Sequence, residues 1–330
     1  MNEIKRAFKN FSAKKIIVLG DVMVDTYIHG KVNRISPEAP VPVVNFDSRT
    51  YHLGGAANVA LNIKALGATP YICSFIGNDE SGALFEKLMT EKNLSNKGIL
   101  YSDERITSVK TRIIGNNQQL LRIDQEQTDD INSVMTYNLV EKIKEIVKSE
   151  GIDAIIFEDY NKGILTTPLI EQVIAFANEH DIVTSVDPKL KNFLAYKNVT
   201  LFKPNLKELK SGLLTDFKYP QEKDLFLAAV ENLNQQLNCQ YTFITLSENG
   251  VYMKYKEKDY FIPAHLRNIA DVSGAGDTVI SVATLCIISG LEPYHTAEIA
   301  NLAGGLVCEK VGVISVDKEQ LLNEAIKTIN

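Results

Sequence analysis

The chain has 330 residues, of which 45% are hydrophobic and 23% are charged, a composition typical of a folded globular protein with a substantial core. Its formal net charge of -6 provides no broad electrostatic attraction to nucleic acids or anionic membranes, so we expect neither as a partner. The 4 cysteines and 5 histidines are scattered without a metal-binding spacing, which predicts reduced thiols and no zinc site.

The amino-terminal stretch MNEIKRAFKNFSAKK is charged and amphipathic, and it lacks the continuous apolar region of a signal peptide. A later apolar run, which follows Asp277, is interrupted by Ser281, Thr284 and Gly290 and is too short to predict a membrane span. We therefore expect a cytoplasmic protein.

Short β-branched runs alternate along the chain with segments of helical apolar spacing. This alternation predicts right-handed βαβ units and an α/β fold, in which helices cover both faces of a mostly parallel sheet. In chain order, the predicted strands are 15–20, 69–77, 153–158, 181–187, 200–205 and 241–247. The predicted helices between them include 56–66, 81–89, 134–147, 169–177 and 225–237.

Two regions, 22–53 and 107–124, break this alternation, because each resembles a pair of strands with one polar face. We expect them to form a small β-sheet that projects from the main body as a lid or a dimer surface. Both lie within a single predicted domain that spans 1–330. An exposed sheet face and edge need covering, so we expect a homodimer through this sheet.

A turn of small residues, DVSGAGD (271–277), leads directly into the long apolar run. It fails the dinucleotide-binding fingerprint, since the third small residue is missing, and the chain has no Walker-type P-loop. The backbone N–H groups of Gly274, Ala275 and Gly276 can converge on one oxyanion, with Asp277 on the first helical turn. A carboxylate beside an anion hole suits phosphoryl transfer, in which it takes a proton from an attacking hydroxyl.

For this segment alone, a purely structural interpretation stays open. Asp271, Ser273 and Asp277 would also serve to cap a buried helix, because acidic and hydroxyl side chains favour the first turn. The catalytic interpretation needs other segments that hold a hydroxyl-bearing substrate and a nucleotide.

Polar groups that suit a polyhydroxylated ligand occur early in the chain. GDVMVD places Asp25 just past the first predicted strand, at the edge where parallel sheets bind ligands. LGGAANVALNIKALGA begins a helix at Gly54 and Gly55, with Asn58 one turn in. Carboxylate and amide groups match sugar hydroxyls, which both donate and accept hydrogen bonds. The alternative for the two glycines is a tight turn with close helix packing.

Three motifs, taken together, resemble those of one known family. LGGAAN (53–58), PNLKE (204–208) and DVSGAGD occur in the order and spacing of the ribokinase-like (PfkB) carbohydrate kinases, and the resemblance covers nearly the whole chain. It implies a ribokinase-like fold with a small protruding β-sheet lid. It also implies a kinase that uses ATP and Mg²⁺, with K⁺ as a further cation near Asp271 and Ser273.

Within that family, several segments resemble the D-glycero-β-D-manno-heptose 7-phosphate kinases, and these segments are 20–44, 53–68, 118–124 and 159–165. Such enzymes transfer the γ-phosphate of ATP to the anomeric C1 hydroxyl and form the 1,7-bisphosphate that leads to ADP-heptose and the lipopolysaccharide core. Two-domain members of the family also carry a nucleotidyltransferase half, so we expect adenylylation to need another protein.

The resemblance assigns roles to residues on the sugar side. Asp277 matches the catalytic base, and the backbone of Gly274, Ala275 and Gly276 matches the anion hole. The positions that match the sugar-binding segments are Asp25, Gly54, Gly55, Asn58 and Asp159. The basic residues in the resembling segments, which are candidates for the distal phosphate, are Arg34, Arg112, Arg122, Lys162 and Lys189. Arginine suits bidentate phosphate binding, whereas a solvated surface charge is the alternative for each of these residues.

On the nucleotide side, Asn205 and Glu208 match the pair that organises Mg²⁺ and the ATP phosphates. The resemblance implies that phosphates and water hold most of the Mg²⁺ shell, without a protein-only cage. The turn TLSENG makes Ser247, Glu248 and Gly250 candidates near the ribose and phosphates. The residues that fall beside the adenine, where small residues also suit helix packing, are Asn301, Ala303 and Gly304.

The match departs from the family at two positions. Glu158 stands where a small residue is expected before an Asp-Tyr pair, and Ser273 replaces a commoner threonine while it keeps the hydroxyl. Because Glu158 adds charge near the predicted site, the identity of the sugar stays open. One alternative is a ribokinase-like kinase of another sugar or sugar phosphate, including the α-anomer heptose kinase. Another is a non-catalytic sugar- or nucleotide-binding scaffold; the failed fingerprint disfavours a dehydrogenase.

Overall fold

The computed structural model describes residues 2–265 and 267–329, and this part of the chain forms two β-sheets and ten α-helices. The strands are, in chain order, β1 (Lys15–Gly20), β2 (Val22–Ile35), β3 (Pro42–Gly55), β4 (Thr69–Gly77), β5 (Ile99–Ser102), β6 (Ser108–Gly115), β7 (Gln118–Gln125), β8 (Ala154–Glu158), β9 (Val183–Asp187), β10 (Leu201–Phe202), β11 (Tyr241–Thr245), β12 (Val251–Tyr255) and β13 (Lys258–Ile262). The helices are α1 (Asn2–Asn10), α2 (Ala56–Ala65), α3 (Glu80–Glu91), α4 (Ser133–Glu150), α5 (Thr167–Glu179), α6 (Leu206–Gly212), α7 (Lys223–Leu237), α8 (Ala275–Ile288), α9 (Pro293–Cys308) and α10 (Lys318–Thr328).

The main sheet has nine strands in the order β13-β12-β11-β10-β9-β8-β1-β4-β5. The strands from β11 to β5 are parallel, whereas β12 and β13 continue the sheet in antiparallel hairpins. Strands covered on both faces have continuous apolar runs, which explains why β1 is buried from Ile16 to its end. The mostly parallel sheet predicted from the sequence is therefore confirmed.

Helices cover both faces of this sheet and form a hydrophobic core on each. On β1, Ile16 and Val18 point into one core, whereas Ile17 and Leu19 point into the other. The first core contains residues of α1, α2, α3, α8, α9 and α10, and the second contains residues of α4, α5 and α7. The long apolar helix after Asp277 is α8, which lies in the first core.

The chain reverses its direction of travel across the sheet between β1 and β8. From β1 it moves outward through β4 to β5, and it then returns to β8 on the other side of β1. The segments that leave the carboxyl ends of β1 and β8 therefore diverge and leave a crevice, where open parallel sheets bind their ligands. Asp21 follows β1 and Glu158 ends β8, so both lie at this crevice.

The second sheet has four strands in the order β3-β2-β6-β7, so the predicted small sheet is confirmed. Its two antiparallel hairpins join through the parallel pair β2 and β6. Asn116 and Asn117 form the turn between β6 and β7 with φ of 52° and 64°, the positive values that a two-residue hairpin turn requires. The start of β2 is buried against the main body, whereas its end is exposed.

Within the described residues, no helix is both long enough and apolar enough to cross a membrane.

Candidate active site

A cavity of about 870 Å³ lies at the carboxyl edge of the main sheet, and residues at the ends of β8, β9 and β11 line it together with the starts of α6 and α8. It brings together six of the predicted site residues, namely Lys189, Asn205, Glu208, Ser247, Gly276 and Asp277. Tyr160, Asp187 and Lys203 also line the cavity, and none of them has a predicted role. All three lie at or just after the carboxyl end of a parallel strand, which is the signal that identifies them.

Asp277 lies in the first turn of α8, and only 8% of its surface is exposed. Its carboxylate accepts a hydrogen bond of 2.5 Å from the Asn58 amide and one of 3.3 Å from the Tyr160 hydroxyl. The two donors reach Oδ2 and Oδ1 respectively, so each oxygen keeps acceptor capacity on the side of the cavity. The carboxylate is thus fixed in position and still able to accept a proton.

Helices α2 and α8 bring Asn58 and Asp277 together because their first turns pack side by side. The Thr278 hydroxyl donates to Asn62 Oδ1 at 3.1 Å. The Ser281 hydroxyl donates to the Asp277 carbonyl at 2.7 Å and lies 3.4 Å from the Val59 carbonyl. These buried bonds fix the register of the two helices one turn below the site. The contact between Asn58, a predicted sugar ligand, and Asp277 therefore depends on helix packing.

The electrostatics around Asp277 combine opposing effects. Burial raises the pKa of Asp277, and the nearby Asp187 raises it further, whereas the Asn58 hydrogen bond and the Lys203 ammonium lower it. The net result is a pKa above the ordinary value of an aspartate. A carboxylate with a raised pKa is a stronger base, which suits proton abstraction from a hydroxyl.

The anion hole predicted from Gly274, Ala275 and Gly276 lies at the start of α8. Gly274 caps the helix with φ of 78°, a left-handed conformation that favours glycine. The Ala275 N–H donates to the Val272 carbonyl at 3.3 Å, so it takes part in the turn. The next N–H groups belong to the first helical turn, where no intrahelical acceptor exists, and Gly276 lines the cavity. These N–H groups and the helix dipole favour an anion there.

Three buried carboxylates meet in the cavity. Glu158, Asp187 and Asp277 each present an oxygen, and these oxygens lie within 4.8 Å of one another. Glu158 Oε2 is buried and has no hydrogen-bond partner among the residues that the structure describes. Burial and the charges of Asp187 and Asp277 raise the pKa of Glu158 well above its ordinary value. An orphaned carboxylate oxygen among oxygen donors fits a hard divalent cation such as Mg²⁺.

Two lysines face these carboxylates. Lys203 is buried and lies 2.8 Å from Asp187, while Lys189 lies 2.8 Å from Glu208 and 3.7 Å from Asp187. Although burial alone would raise it, the pKa of Asp187 is lowered by these two ammonium groups. Burial opposes the charged form of Lys203, yet Asp187 and Glu208 raise its pKa, so it stays cationic. The cavity therefore holds fixed positive charge beside the start of α8.

Asn205 and Glu208 form a capping box at the start of α6. The Asn205 side chain accepts from the Glu208 N–H at 2.9 Å, and the Glu208 carboxylate accepts from the Asn205 N–H at 2.9 Å. This reciprocal pairing holds the Glu208 carboxylate at the cavity wall, where its other oxygen contacts Lys189. The motif Asn-x-x-Glu therefore has a local structural role as a capping box.

The predicted sugar-binding residues Asp25, Gly54 and Gly55 lie where β2 and β3 join the main body. A Cβ on Gly54 would collide with Asp25 Oδ2, and a Cβ on Gly55 would collide with the Asp21 carbonyl. Gly55 also has φ of 62° and caps α2, so both glycines are required by close approach and turn geometry. Asp25 contacts Arg112 at 2.5 Å across β2 and β6.

The basic residues predicted for a distal phosphate are not all close together. Arg112 contacts Asp25, Arg122 contacts Asp124 with both Nε and Nη2, and Lys162 contacts Glu126 at 2.6 Å. Lys189 lies with the cavity carboxylates instead. Arg34 is exposed and lies nine residues beyond Asp25 along β2, roughly 30 Å at the extended rise per residue, so the structure does not bring it to this site.

Asp159 is a predicted sugar ligand, but its carboxylate accepts hydrogen bonds from groups within the protein. Its Oδ2 accepts from the Tyr196 hydroxyl at 2.8 Å and from Asn192 at 3.3 Å, and its Oδ1 accepts from the Asn161 N–H at 2.8 Å. Asp21 is the carboxylate that orders the adjacent loop, since it accepts from the N–H groups of Tyr160, Lys162 and Ile164. Burial, together with Asp159, raises the pKa of Asp21 to about 6.

Of the residues predicted to lie near the ribose and adenine, only some line the cavity. Ser247 lines it, whereas a Cβ on Gly250 would collide with the Ile262 carbonyl, so that glycine is required by the hairpin. The Asn301 amide donates to the Pro263 carbonyl at 2.8 Å. Glu248, Ala303 and Gly304 do not line the cavity, and Gly304 allows α9 to approach Val279 closely.

Asp271 and Ser273, the predicted surroundings of a monovalent cation, lie in the turn before α8. The Asp271 carboxylate accepts from the Ser273 N–H at 2.9 Å and from the Gly312 N–H at 3.0 Å. These bonds lower the pKa of Asp271, with the Ser273 N–H as the largest cause. In this conformation the carboxylate connects the turn to the segment after α9.

Comparison with known proteins gives one family. A model of the pfkB family carbohydrate kinases matches residues 13–320. The "Bifunctional protein HldE" of Helicobacter pylori (strain J99 / ATCC 700824) is 36% identical over 308 residues, or 93% of this chain. The protein of that name from Geotalea uraniireducens (strain Rf4) is 36% identical over 325 residues, or 98% of this chain. This chain spans 65% of the length of each relative.

Two solved structures share the fold at low sequence identity. Phosphofructokinase-2 from Escherichia coli in complex with potassium has a TM-score of 0.78 and 17% identity, and the match covers 96% of this chain and 99% of that chain. Arabidopsis thaliana ribokinase complexed with ribose and ATP has a TM-score of 0.71 and 14% identity, covering 95% and 99%. The predicted ribokinase-like fold is therefore confirmed.

Proposed function

The chain belongs to the pfkB family of carbohydrate kinases, and from this premise we propose that it phosphorylates the anomeric C1 hydroxyl of D-glycero-β-D-manno-heptose 7-phosphate. ATP is the phosphate donor, and the product is the 1,7-bisphosphate, a precursor of ADP-heptose and the lipopolysaccharide core. The observation that carries the proposal is the buried Asp277 carboxylate, which Asn58 and Tyr160 orient toward a lysine-lined cavity.

In the proposed mechanism, Asp277 acts as the general base. Its carboxylate takes the proton of the C1 hydroxyl while the C1 oxygen forms a bond to the γ-phosphorus of ATP. The bond between that phosphorus and the β–γ bridging oxygen breaks, and ADP leaves. The Asn58 and Tyr160 hydrogen bonds hold the carboxylate in one orientation, so the proton acceptor is in place before the reaction.

Positive charge near Asp277 supports stabilisation of the transferred phosphoryl group. The N–H groups at the start of α8 and the ammonium groups of Lys189 and Lys203 border the same cavity. Such fixed donors and cations stabilise charge that develops in the transition state without reorganising at the moment of reaction. The first-turn N–H groups, which include that of Gly276, are the proposed anion hole.

The family also implies Mg²⁺, and the residues present fit it. Glu158 and Asp187, two of the three clustered carboxylates, would hold the ion with water and the ATP phosphates, since carboxylate oxygens are its preferred protein ligands. Asn205 and Glu208, which the family resemblance assigns to Mg²⁺, line the same cavity. The orphaned Glu158 Oε2 is the observation that supports this assignment. When bound, Mg²⁺ supplies charge neutralisation at the phosphates.

The choice of acceptor rests on sequence. The segments 20–44, 53–68, 118–124 and 159–165 resemble heptose 7-phosphate kinases. The relatives named HldE align with at least 93% of this chain, and their remaining length lies outside the match. We extend the proposal to one domain spanning 1–330, with the second sheet as a lid and as the surface of a homodimer.

A panel of acceptors tests the proposal. The full chain is incubated with MgATP and with heptose 7-phosphate of each anomeric form, unphosphorylated heptose, fructose 6-phosphate or ribose, and ADP release is measured. We expect kcat/KM for the β-anomer of heptose 7-phosphate to exceed that for unphosphorylated sugars by at least about 10², because a site built for a charged group rejects analogues that lack it. ³¹P NMR then identifies the phosphorylated position.

Three outcomes of this panel contradict the proposal in different ways. Comparable turnover of ribose or fructose 6-phosphate would make the chain a kinase of another sugar. A preference for the α-anomer would overturn the proposed configuration. Binding of ATP and sugar with no turnover of any acceptor would favour a binding scaffold.

A further inference from the structure

Two lysines from different parts of the fold converge on one carboxylate. Lys162 Nζ lies 2.6 Å from Glu126 Oε1, and Lys110 Nζ lies 3.1 Å from Glu126 Oε2. The two lysine side chains are only 16% and 14% exposed, so both are largely desolvated. Charge-assisted hydrogen bonds of this kind are stronger than neutral ones, and each ammonium has a fixed acceptor.

The lysines connect the second sheet to the main body. Lys110 is on β6, whereas Lys162 is in the loop after β8, whose backbone is anchored to Asp21. Glu126 follows β7 and bridges the two. An anion that binds both ammonium groups would therefore join the second sheet to the edge of the active site.

This arrangement borders the proposed acceptor site on two sides. Lys110 is the register partner of Asp25 across β2 and β6, and Asp25 is the proposed sugar ligand. Lys162 is two residues from Tyr160, which donates to the proposed base Asp277. Both lysines therefore neighbour residues of the proposed acceptor site, Lys110 on the second sheet and Lys162 in the loop after β8.

The charges around the pair match a phosphate monoester once Glu126 is set aside. This surface has four cations, namely Lys110, Arg112, Arg122 and Lys162. Asp124 contacts Lys110 and Arg122, Asp25 contacts Arg112, and the acceptor of Lys162 is Glu126. Four cations and two carboxylates leave a surplus of two positive charges. A phosphate monoester carries a charge of about -1.5 to -2 at pH 7 and offers three acceptor oxygens.

We propose that Lys110 and Lys162 bind the distal phosphate of the acceptor and that Glu126 occupies their ammonium groups when no phosphate is bound. The inference rests on the proposed function, because it takes the acceptor to be a sugar phosphate. Lys110 is not among the predicted phosphate ligands, because Arg112, two residues later, suits bidentate phosphate binding better. Glu126 gives the site specificity, since a ligand must supply more charge than a carboxylate to displace it.

The proposal predicts opposite effects for two substitutions. Lys110→Met removes one cation and should weaken binding of heptose 7-phosphate at least about tenfold, the loss of one charge-assisted bond. Glu126→Gln removes the competing anion and should strengthen that binding by roughly threefold to tenfold. Both should leave binding of unphosphorylated heptose within about twofold of the wild type. Isothermal titration calorimetry on the full chain without ATP measures each dissociation constant.

Matched controls come from the surface of α4, where Lys144 and Glu141 form an exposed ion pair. Lys144→Met and Glu141→Gln should leave all dissociation constants unchanged. A Glu126→Gln variant that binds heptose 7-phosphate more weakly than the wild type would overturn the proposal, as would equal losses for both sugars in Lys110→Met. A Lys110→Met variant that does not fold leaves Glu126→Gln as the deciding measurement, because its amide keeps the shape of the carboxylate.

A parallel titration with inorganic phosphate separates this inference from the proposed function. If the wild type binds phosphate but not heptose 7-phosphate, and the two substitutions still act in opposite directions, the lysine pair stands and the proposed acceptor fails. If the wild type binds heptose 7-phosphate without any response to Lys110→Met or Glu126→Gln, the lysine pair fails and the acceptor stands. If neither ligand binds, both ideas fail.

Discussion

At the scale of single residues, the candidate site concentrates buried charge. An isolated buried carboxylate costs several kcal/mol, and Asp277 avoids much of this cost through Asn58, Tyr160 and the nearby Lys203. Lys189 and Lys203 also favour the charged form of Glu158, but its Oε2 has no hydrogen-bond partner in the described part of the chain, and its pKa stays well above the ordinary value. The two carboxylates therefore differ: hydrogen bonds fix the orientation of Asp277, whereas Glu158 Oε2 keeps an unsatisfied acceptor.

Substitution of Glu158 tests this difference through stability. Burial and nearby carboxylates raise the pKa of Glu158 above its ordinary value of 4.5 in the folded chain. As pH rises above 4.5, the unfolded chain loses this proton first, so the contribution of Glu158 to stability falls with pH. Glu158→Gln cannot ionise and should gain stability relative to the wild type between pH 5 and pH 8, by roughly 1–3 kcal/mol.

Urea unfolding of both proteins at the two pH values, without Mg²⁺, measures this gain. Glu141→Gln on the exposed face of α4 is the control and should show no such trend. A stability difference between Glu158→Gln and the wild type that shrinks from pH 5 to pH 8 would contradict a raised pKa.

At the scale of elements, the start of α8 carries the proposed anion hole. The two glycines at this position differ in backbone conformation: Gly274 has a left-handed φ, whereas Gly276 does not. A Cβ on Gly276 would lie 3.4 Å from Asp187 Oδ2 and 3.7 Å from Lys203 Nζ, at the floor of the cavity. The fold accommodates that methyl group, but a phosphoryl group would have to share the space.

Gly276→Ala should therefore separate folding from activity. Because alanine is the better helix former, the melting temperature should stay the same or rise. The methyl group should lower kcat by about 10², comparable to the loss of one oxyanion donor. Steady-state kinetics and thermal unfolding of the same preparation check both parts. Unchanged kcat would remove Gly276 from the anion hole, and a parallel loss of stability would make its role structural.

The sequence predicts the helices and strands more accurately than it predicts the contacts of the site residues. Strands and helices with clear periodicity are placed to within a few residues, whereas the predicted strand 200–205 shortens to Leu201–Phe202. Pro204 has no N–H to donate and Asn205 already caps α6, so the ladder ends early. The predicted helices do not include α6, which has only seven residues, or α9, which is apolar on most of its surface, or α10, although α10 has clear amphipathic spacing.

The contacts within the site depend on the three-dimensional fold and cannot be predicted from the spacing of motifs. Asp187 ends β9 and Lys203 follows β10, so their ion pair, with its effect on Asp277, depends on the order of strands in the sheet. The same limit explains why Asp159 was predicted to bind sugar, although its carboxylate contacts Tyr196 and Asn192. Motif spacing indicates which segments matter, but not which way each side chain points.

At the scale of the whole molecule, the second sheet has two different faces. Arg122 and Asp124 lie on the face with Lys110, and the alternating residues Leu121 and Ile123 lie on the opposite face. Leu121 is 54% exposed and Ile123 is 51% exposed. An apolar face beside a polar one indicates contact with another surface, and we propose a second copy of this chain.

Leu121→Asp combined with Ile123→Asp should convert a dimer into a monomer. Size-exclusion chromatography with light scattering on both proteins measures the mass. Val134→Asp is the matched control, because Val134 is 64% exposed on α4, away from this sheet, and its substitution should leave the mass unchanged. A monomeric wild type, or an equal effect of the control, would contradict the proposed dimer.

The central claim is that Asp277 takes the proton of the acceptor hydroxyl, and the turnover of Asp277→Asn tests it most directly. Asparagine has the shape of aspartate and still lies beside Asn58, but it cannot act as a base. We therefore expect kcat to fall by roughly 10²–10⁴. Asp317→Asn, a helix cap on α10 that asparagine also satisfies, should keep wild-type kcat. A folded Asp277→Asn protein with kcat within about tenfold of the wild type would contradict the claim.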